Sequence, residues 1–225
     1  VREVRYDYDK SVRIPATLAT EISESSSKTL MAWRSAREND DFPLFEPLLK
    51  KQIQLQEQYA DCLQDGNTSR YDILMNLYER GMTSQRFEEI CQQVVPGIRN
   101  IIERATENPT PEPAFMKGPW DTDKQLTFAK EVATELGYDF ERGAIDLTAH
   151  PFCTSPAAPH DVRITTRVSS DDFIGNLYGV IHEAGHAMYE QGLDPAWEDT
   201  PLCDSISLGI HESQSRFWEN DIARG

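Results

Sequence analysis

The amino-acid sequence predicts a mainly α-helical protein with one small antiparallel β element. Over residues 1–140, apolar side chains recur with a period of about 3.6 residues in long stretches. These stretches are 14–40, 42–64, 84–107 and 122–139. Two short segments that follow alternate in polarity and are rich in β-branched residues, as half-buried strands are. A helical period then returns and continues to the end of the chain.

The long helices carry start and stop signals of known physical origin. In the fourth stretch, Asp121 or Thr122 can cap the first turn, and Gly137 is placed to end the helix. In the third stretch, Pro96 predicts a kink or a break because proline cannot donate a backbone hydrogen bond. The segment TENPTPEP, residues 106–113, predicts a loop or a domain boundary.

The predicted β element is a hairpin. Residues 143–152 and 161–168 form its two arms, and the turn-rich segment CTSPAAPH, residues 153–160, connects them. The helix after this hairpin begins with SSDD at 169–172, which resembles a capping box, and it ends at Gly192. The hairpin therefore leads directly into a well-delimited helix.

Charge and cysteine usage exclude some classes of partner. The net charge is −16, which argues against binding nucleic acid or an anionic membrane surface, since both need a basic face. The four cysteines contain no CxxC pair, which favours a reduced, cytoplasmic protein with free thiols. No apolar run approaches the roughly 20 residues of a membrane span, and no signal peptide is visible.

The segment HEAGH, residues 182–186, carries the clearest chemistry. Residues four apart on a helix lie one turn above each other, so His182 and His186 can offer imidazole nitrogens to one zinc ion. Glu183 is rotated by about 100° from His182, so it can reach a water on the metal and act as a general base. The alternative is a pair of helix-surface histidines. The spacing, which uses two of the five histidines in the chain, favours zinc.

A catalytic zinc site needs a third protein ligand. The residues after His186 lack the last histidine of the HExxHxxGxxH pattern, so we expect a carboxylate from a second helix. The last helical pattern, with Thr200 as a possible N-cap and Pro201 at its first position, offers Glu212. Spacing alone leaves other glutamates open. These are Glu190, Glu198 and Glu219.

Four short motifs occur in order along the second half of the chain: HPF at 150–152, DVRIT at 161–165, HEAGH at 182–186 and HESQ at 211–214. They resemble the HPF, DxRxT, HExxH and HES/GQ signatures of the M32 metallocarboxypeptidases, the carboxypeptidase Taq family. The segment YDILMNLYERGMTS, residues 71–84, also resembles a family segment. Four motifs in register are far more specific than HExxH alone.

The resemblance implies a helical, zincin-like peptidase with a cleft, usually a homodimer. Such a protein removes single amino acids from peptide C-termini with the help of zinc or cobalt. Carried over residue by residue, the resemblance makes His182, His186 and Glu212 the metal ligands and Glu183 the catalytic base.

The remaining motif residues are candidates for substrate binding or for support of the metal ligands. They are His150, Asp161, Arg163, Thr165, His211 and Gln214. The alternative for Asp161 and Arg163 is a structural ion pair, and the two histidines can equally be structural. In many glutamate-ligand zinc peptidases, an acidic residue one turn after the third ligand orients a histidine. Here Arg216 holds that position, so the orienting residue must lie elsewhere.

We interpret residues 1–225 as one peptidase domain, with a helical portion at 1–140 and a metal-site portion at 141–225. The chain begins at Val1 rather than Met and ends before the IRxxAD-like and GxxQDxHW-like motifs of the family. These features indicate a truncated domain whose substrate-carboxylate recognition lies beyond Gly225.

Three functions remain open. The first is a zinc carboxypeptidase that works by promoted-water hydrolysis. The second is another zinc peptidase, either an endopeptidase or a dipeptidase. The third is an inactive metal-binding or helical interaction fragment. The four motifs favour the first.

Overall fold

Helices dominate the structure, as the periodicity of the sequence predicts. The structure is a computed structural model that describes residues 1–107 and 118–225. It divides into two units, Val1–Val95 and Pro96–Gly225. The interpretation of the whole chain as one peptidase domain stays a prediction. Among the described helices, none combines the length and the apolar composition that crossing a membrane requires.

The first unit is built from helices alone. They are α1 (Arg2–Ser11), α2 (Ala16–Glu38), α3 (Phe42–Leu63), α4 (Arg70–Tyr78) and the first half of α5 (Ser84–Thr106). Helices α2 and α3 match the predicted stretches and pack against each other, with Leu18, Leu55 and Ala60 buried. The side chain of Asp41 caps α3 by accepting from the backbone N–H of Leu44.

The sequence predicts a kink or a break at Pro96. Helix α5 continues through this residue, so the break is wrong and the kink stays a prediction. Proline removes one backbone hydrogen bond, but its fixed φ is close to the helical value, and the turns on both sides keep their own bonds. The apolar stripe of α5 lies in solvent, since none of its residues is buried. Of the predicted loop at 106–113, residues 108–113 lie outside the described part of the chain.

The second unit contains a small sheet and begins with the second half of α5. Its elements are α6 (Thr122–Leu136), β1 (Ile145–Leu147), β2 (Cys153–Ala157), β3 (Asp161–Thr166), α7 (Phe173–Gln191), α8 (Leu208–Arg216) and a π-helical segment, Phe217–Ala223. The predicted caps of α6 are present. Asp121 accepts from the backbone N–H of Lys124, and Gly137 ends the helix in the left-handed conformation at φ 113°.

The sheet differs from the predicted hairpin in which segments pair. Its strand order is β1-β3-β2, with β2 antiparallel and β1 parallel to β3. The prediction that residues 143–152 pair antiparallel with residues 161–168 is therefore wrong. The antiparallel partner of β3 is β2, which lies in the segment predicted to be the connector. The connector prediction rests on a turn-rich composition, which includes Pro156. Pro156 occupies an edge strand at a register irregularity, where the ladder needs no N–H from it.

The core of the second unit holds α7 against the sheet. Val162 and Ile164 on one face of β3 are buried with Val180 and Ala184 of α7, each at most 1% exposed. Full burial of a valine or isoleucine side chain contributes about 1.5–3 kcal/mol to the free energy of unfolding. The hydroxyl of Tyr138 donates to the carbonyl of Val162 at 2.7 Å. The helix that carries HEAGH is thus fixed by packing on its other face.

Helix α8 begins at Leu208, so the predicted start at Thr200 is wrong. The hydroxyl of Thr200 donates to the carbonyl of Trp197 at 2.6 Å, and this bond belongs to the preceding turn. Ser207 is the actual N-cap, because its side chain accepts from the backbone N–H of Ile210 at 3.1 Å.

Candidate metal centre

Two facing helices bring the predicted metal ligands together. On α7, the rings of His182 and His186 lie 4.9 Å apart, and the two side chains are 18% and 13% exposed. From α8, the Glu212 oxygen Oε2 lies 3.6 Å from Nε2 of His182 and 3.2 Å from Nε2 of His186. These three ligand atoms lie within 4.8 Å of one another and can hold one metal ion.

The other glutamates weighed from the sequence have different partners. Glu190 pairs with His211 at 2.8 Å, and Glu198 lies 3.5 Å from His160. Glu219 approaches His182 at Nδ1, the nitrogen that faces away from Glu212. Glu212 is thus the carboxylate that the structure brings to both Nε2 atoms.

A glycine permits the close approach of the two helices. A Cβ atom built on Gly185 would lie 2.7 Å from the Cα of Ser215 and 3.0 Å from the backbone oxygen of Gln214. Both contacts are with the backbone of α8, which a rotamer change cannot relieve. Gly185, directly before the second histidine ligand, therefore permits the distance at which α8 brings Glu212 to the histidines.

We expect Gly185→Ala to push α8 away from α7, lower the free energy of unfolding by about 1–3 kcal/mol and weaken metal binding. The matched control is Gly179→Ala on the same helix, where an added Cβ meets nothing within 4 Å. That control should be neutral or more stable by about 0.5–1 kcal/mol. Urea unfolding and zinc competition assays measure both effects. Equal behaviour of the two variants would contradict this account of the helix contact.

Each histidine ligand is oriented through its second ring nitrogen. Nδ1 of His182 lies 2.9 Å from Oε2 of Glu219, and Nδ1 of His186 lies 3.1 Å from the backbone oxygen of His211. Both partners are acceptors, which assigns the proton to Nδ1 and leaves the Nε2 lone pairs facing Glu212. Glu219 is thus the orienting residue that could not be named from the sequence. Glu219 lies seven residues after Glu212, but a π-helical segment begins between them at Phe217, so α-helical spacing gave no signal for it.

The charges of the three side chains suit a metal ion. Burial, with His211 and His182 nearby, lowers the pKa of His186 to about 4, so its imidazole is neutral at pH 7. Burial alone would raise the pKa of Glu212. Hydrogen bonds from Arg216 and Ser215 outweigh it and hold that pKa below its ordinary value. Two imidazoles with one carboxylate form a donor set of catalytic zinc sites, so the residues present fit the metal.

Glu183 lies beside these ligands and is 7% exposed. Burial, followed by the charge of Glu212, raises its pKa to about 7, although His211 acts in the opposite direction. Within the described parts of the chain, no hydrogen bond holds its carboxylate. A buried carboxylate with a pKa near neutrality can both accept and release a proton.

The remaining HESQ residues lie near the ligands on α8. The ring of His211 stacks on that of His186, with centroids 4.4 Å apart and planes 18° from parallel. Its Nε2 lies 2.8 Å from a carboxylate oxygen of Glu190. The backbone oxygen of Gln214 faces Gly185, as described above. The side-chain Nε2 of Gln214 lies 3.5 Å from the hydroxyl of Ser213. Their roles toward substrate stay predictions.

The HPF and DVRIT motifs meet at the sheet. Thr165 binds Phe152 in both directions: its backbone N–H donates to the Phe152 carbonyl, and its hydroxyl accepts from the Phe152 N–H, each at 2.9 Å. Asp161 and Arg163, on the same face of β3, form a two-point ion pair at 2.8 Å, which was the structural alternative for them. His150 lies exposed between β1 and β2. A role for these residues in substrate binding stays a prediction.

Comparison with known proteins agrees with this geometry. The family described as carboxypeptidase Taq (M32) metallopeptidase matches residues 1–225. Over all of its length, the chain is 37% identical to thermostable carboxypeptidase 1 of Thermus thermophilus and 36% identical to carboxypeptidase 1 of Bacillus subtilis, and it spans 46% and 44% of them. The crystal structure of an M32 carboxypeptidase from Deinococcus radiodurans R1 is similar at a TM-score of 0.85 with 38% identity. That match covers 98% of this chain and 44% of the other. The chain belongs to the carboxypeptidase Taq (M32) metallopeptidase family.

Proposed function

We propose that the whole protein is a zinc-dependent metallocarboxypeptidase that removes single amino acids from peptide C-termini. The observation that carries this proposal is the convergence of His182, His186 and Glu212 beside the buried Glu183. The named relatives are carboxypeptidases, and the chain spans less than half of their length. The homodimer implied by the family resemblance stays a prediction for the whole protein.

The proposed metal ion is Zn²⁺, since two neutral imidazoles and one carboxylate are the ligands of several zinc peptidases. Co²⁺ is the alternative, because it accepts the same donors. When bound, the ion supplies Lewis-acid chemistry that polarises a peptide carbonyl and makes water a better nucleophile at neutral pH. His182, His186 and Glu212 would hold it, with Glu219 and the His211 carbonyl fixing the two rings.

In this proposal Glu183 moves the proton. As water attacks the scissile carbonyl, its carboxylate accepts a proton from that water and then donates it to the leaving amine. Its raised pKa, about 7, suits a group that must both take up and release a proton in one turnover. Its burial also keeps bulk water away from the transfer.

A mass-spectrometry time course tests the proposal with the whole gene product, loaded with Zn²⁺. The substrate is an N-acetylated peptide with a free C-terminus, and the control is the same peptide with a C-terminal amide. We expect a ladder of single-residue losses from the first and no products from the second. Internal cuts in both would indicate an endopeptidase. Two intact peptides in the presence of bound zinc would indicate a metal-binding protein without peptidase activity.

A further inference from the structure

The two carboxylate oxygens of Glu212 have different partners. Oε2 faces the Nε2 atoms of both histidine ligands and also accepts from the hydroxyl of Ser215 at 3.1 Å. Oε1 accepts from Nε of Arg216 at 2.8 Å. One oxygen therefore points to the metal centre, and the other is engaged by a guanidinium.

The same guanidinium also reaches the residue that orients His182. Nη1 of Arg216 lies 3.4 Å from Oε2 of Glu219, the oxygen that binds Nδ1 of His182. Arg216 thus contacts both Glu212, the third ligand, and Glu219, the residue that orients His182. Arginine suits this task because its planar fork offers several fixed donors and stays charged.

We propose that Arg216 is a positioning residue that reserves Oε1 of Glu212, so that Glu212 gives the metal one oxygen rather than two. The inference rests on the proposed function of the site. A catalytic zinc site needs three protein ligand atoms and an open fourth position for water or substrate. A carboxylate that closed on the ion with both oxygens would occupy that position.

A positioning role for Arg216 and charge repulsion between Arg216 and the metal ion predict opposite changes in metal affinity when the arginine is removed. By Coulomb's law alone, a cation beside a divalent metal ion repels it, so removal of the Arg216 charge should tighten metal binding. If Arg216 fixes the geometry of Glu212, its removal should weaken binding, because loss of a partner around the ligands typically lowers metal affinity about 10- to 100-fold.

The test compares Arg216→Met with Arg224→Met in the whole gene product. Arg224 donates to Oε1 of Glu219 at 2.8 Å and makes no described contact with Glu212. The two arginine side chains are similarly exposed, 54% and 48%, so the variants remove the same charge near the site. Co²⁺ affinity is measured by chelator competition, and the visible absorption of the Co²⁺ protein reports the coordination number.

We expect Arg216→Met to lower Co²⁺ affinity about 10- to 100-fold and to weaken the visible absorption, as a higher coordination number does. Arg224→Met should keep the wild-type spectrum. Unchanged or tighter binding by Arg216→Met, with the wild-type spectrum, overturns the inference. If circular dichroism shows that Arg216→Met is unfolded, Arg216→Ala takes its place. The same spectral change is expected, since alanine also leaves Oε1 of Glu212 without the donor that Arg216 supplies.

The two proposals fail in different ways. If the wild-type protein binds neither Zn²⁺ nor Co²⁺ at this centre, the proposed function itself is wrong. If the wild-type protein binds Co²⁺ and Arg216→Met behaves like it, only the role of Arg216 is wrong.

Discussion

Glu183→Gln is expected to lower kcat by about 10²- to 10⁴-fold, the usual contribution of a general base, while the metal content stays at the wild-type level. The amide has almost the same shape as the carboxylate but cannot accept a proton. Burial disfavours the charged form of Glu183, so a neutral amide should not lower Tm. Steady-state kinetics on the N-acetylated peptide and metal analysis of the same sample measure both quantities.

The matched control for this variant is Glu131→Gln. Glu131 lies exposed on α6, so the change removes one carboxylate charge away from the centre. It should leave kcat within about twofold of wild type, because exposed substitutions usually have small effects. Near-normal turnover by Glu183→Gln would instead show that a group other than Glu183 accepts the proton.

His186→Ala is expected to abolish stable metal binding and, with it, peptidase activity. It removes one of three protein ligands, so the loss of Zn²⁺ affinity should exceed the roughly 100-fold maximum typical of supporting partners. It also opens a gap beneath the stacked ring of His211, which then loses its neighbour at 4.4 Å. Equilibrium dialysis with Zn²⁺ followed by elemental analysis measures the bound metal directly.

The matched control here is His160→Ala. His160 is 54% exposed in the turn between β2 and β3, where its ring lies 3.5 Å from Glu198. That variant should retain one equivalent of zinc. Full zinc occupancy in His186→Ala would refute the assignment of His186 as a ligand.

The ligand cluster was predictable because two of its members lie four residues apart on one helix, which fixes their relation before any tertiary contact forms. Spacing alone did not identify Glu212 as the third ligand, since it left three other glutamates as candidates. The motif resemblance favoured it, and the structure brings it to both histidines. Arg216 lies four residues after Glu212 on α8, a spacing that brings two helical side chains together. The role of Glu219 was not predictable, because the α-helix gives way to a π-helical segment at Phe217 and changes which residues share a face.

The errors in the fold have local causes. Proline is typical of breaks and turns, yet Pro96 lies within α5, and Pro156, in the predicted connector, lies within an edge strand. The start of α8 was placed at Thr200 because Thr-Pro is a typical helix opening. In the structure its hydroxyl closes a different turn, and Ser207 caps the helix. Parallel pairing of β1 could not be foreseen from two short segments, since the sequence pattern of a strand does not specify its partner.

The contact at Gly185 gives positions 184 and 185 of HEAGH different tolerances when the site is diversified in a mutant library. Ala184 points into the core at 0% exposure, so that position should accept residues only as small as alanine. Position 185 should accept glycine alone, because the backbone of α8 fills the space a side chain would need. Gly179, on the same helix, can be randomised more freely. A library that randomises positions 184 and 185 together would therefore consist mostly of proteins with a displaced third ligand.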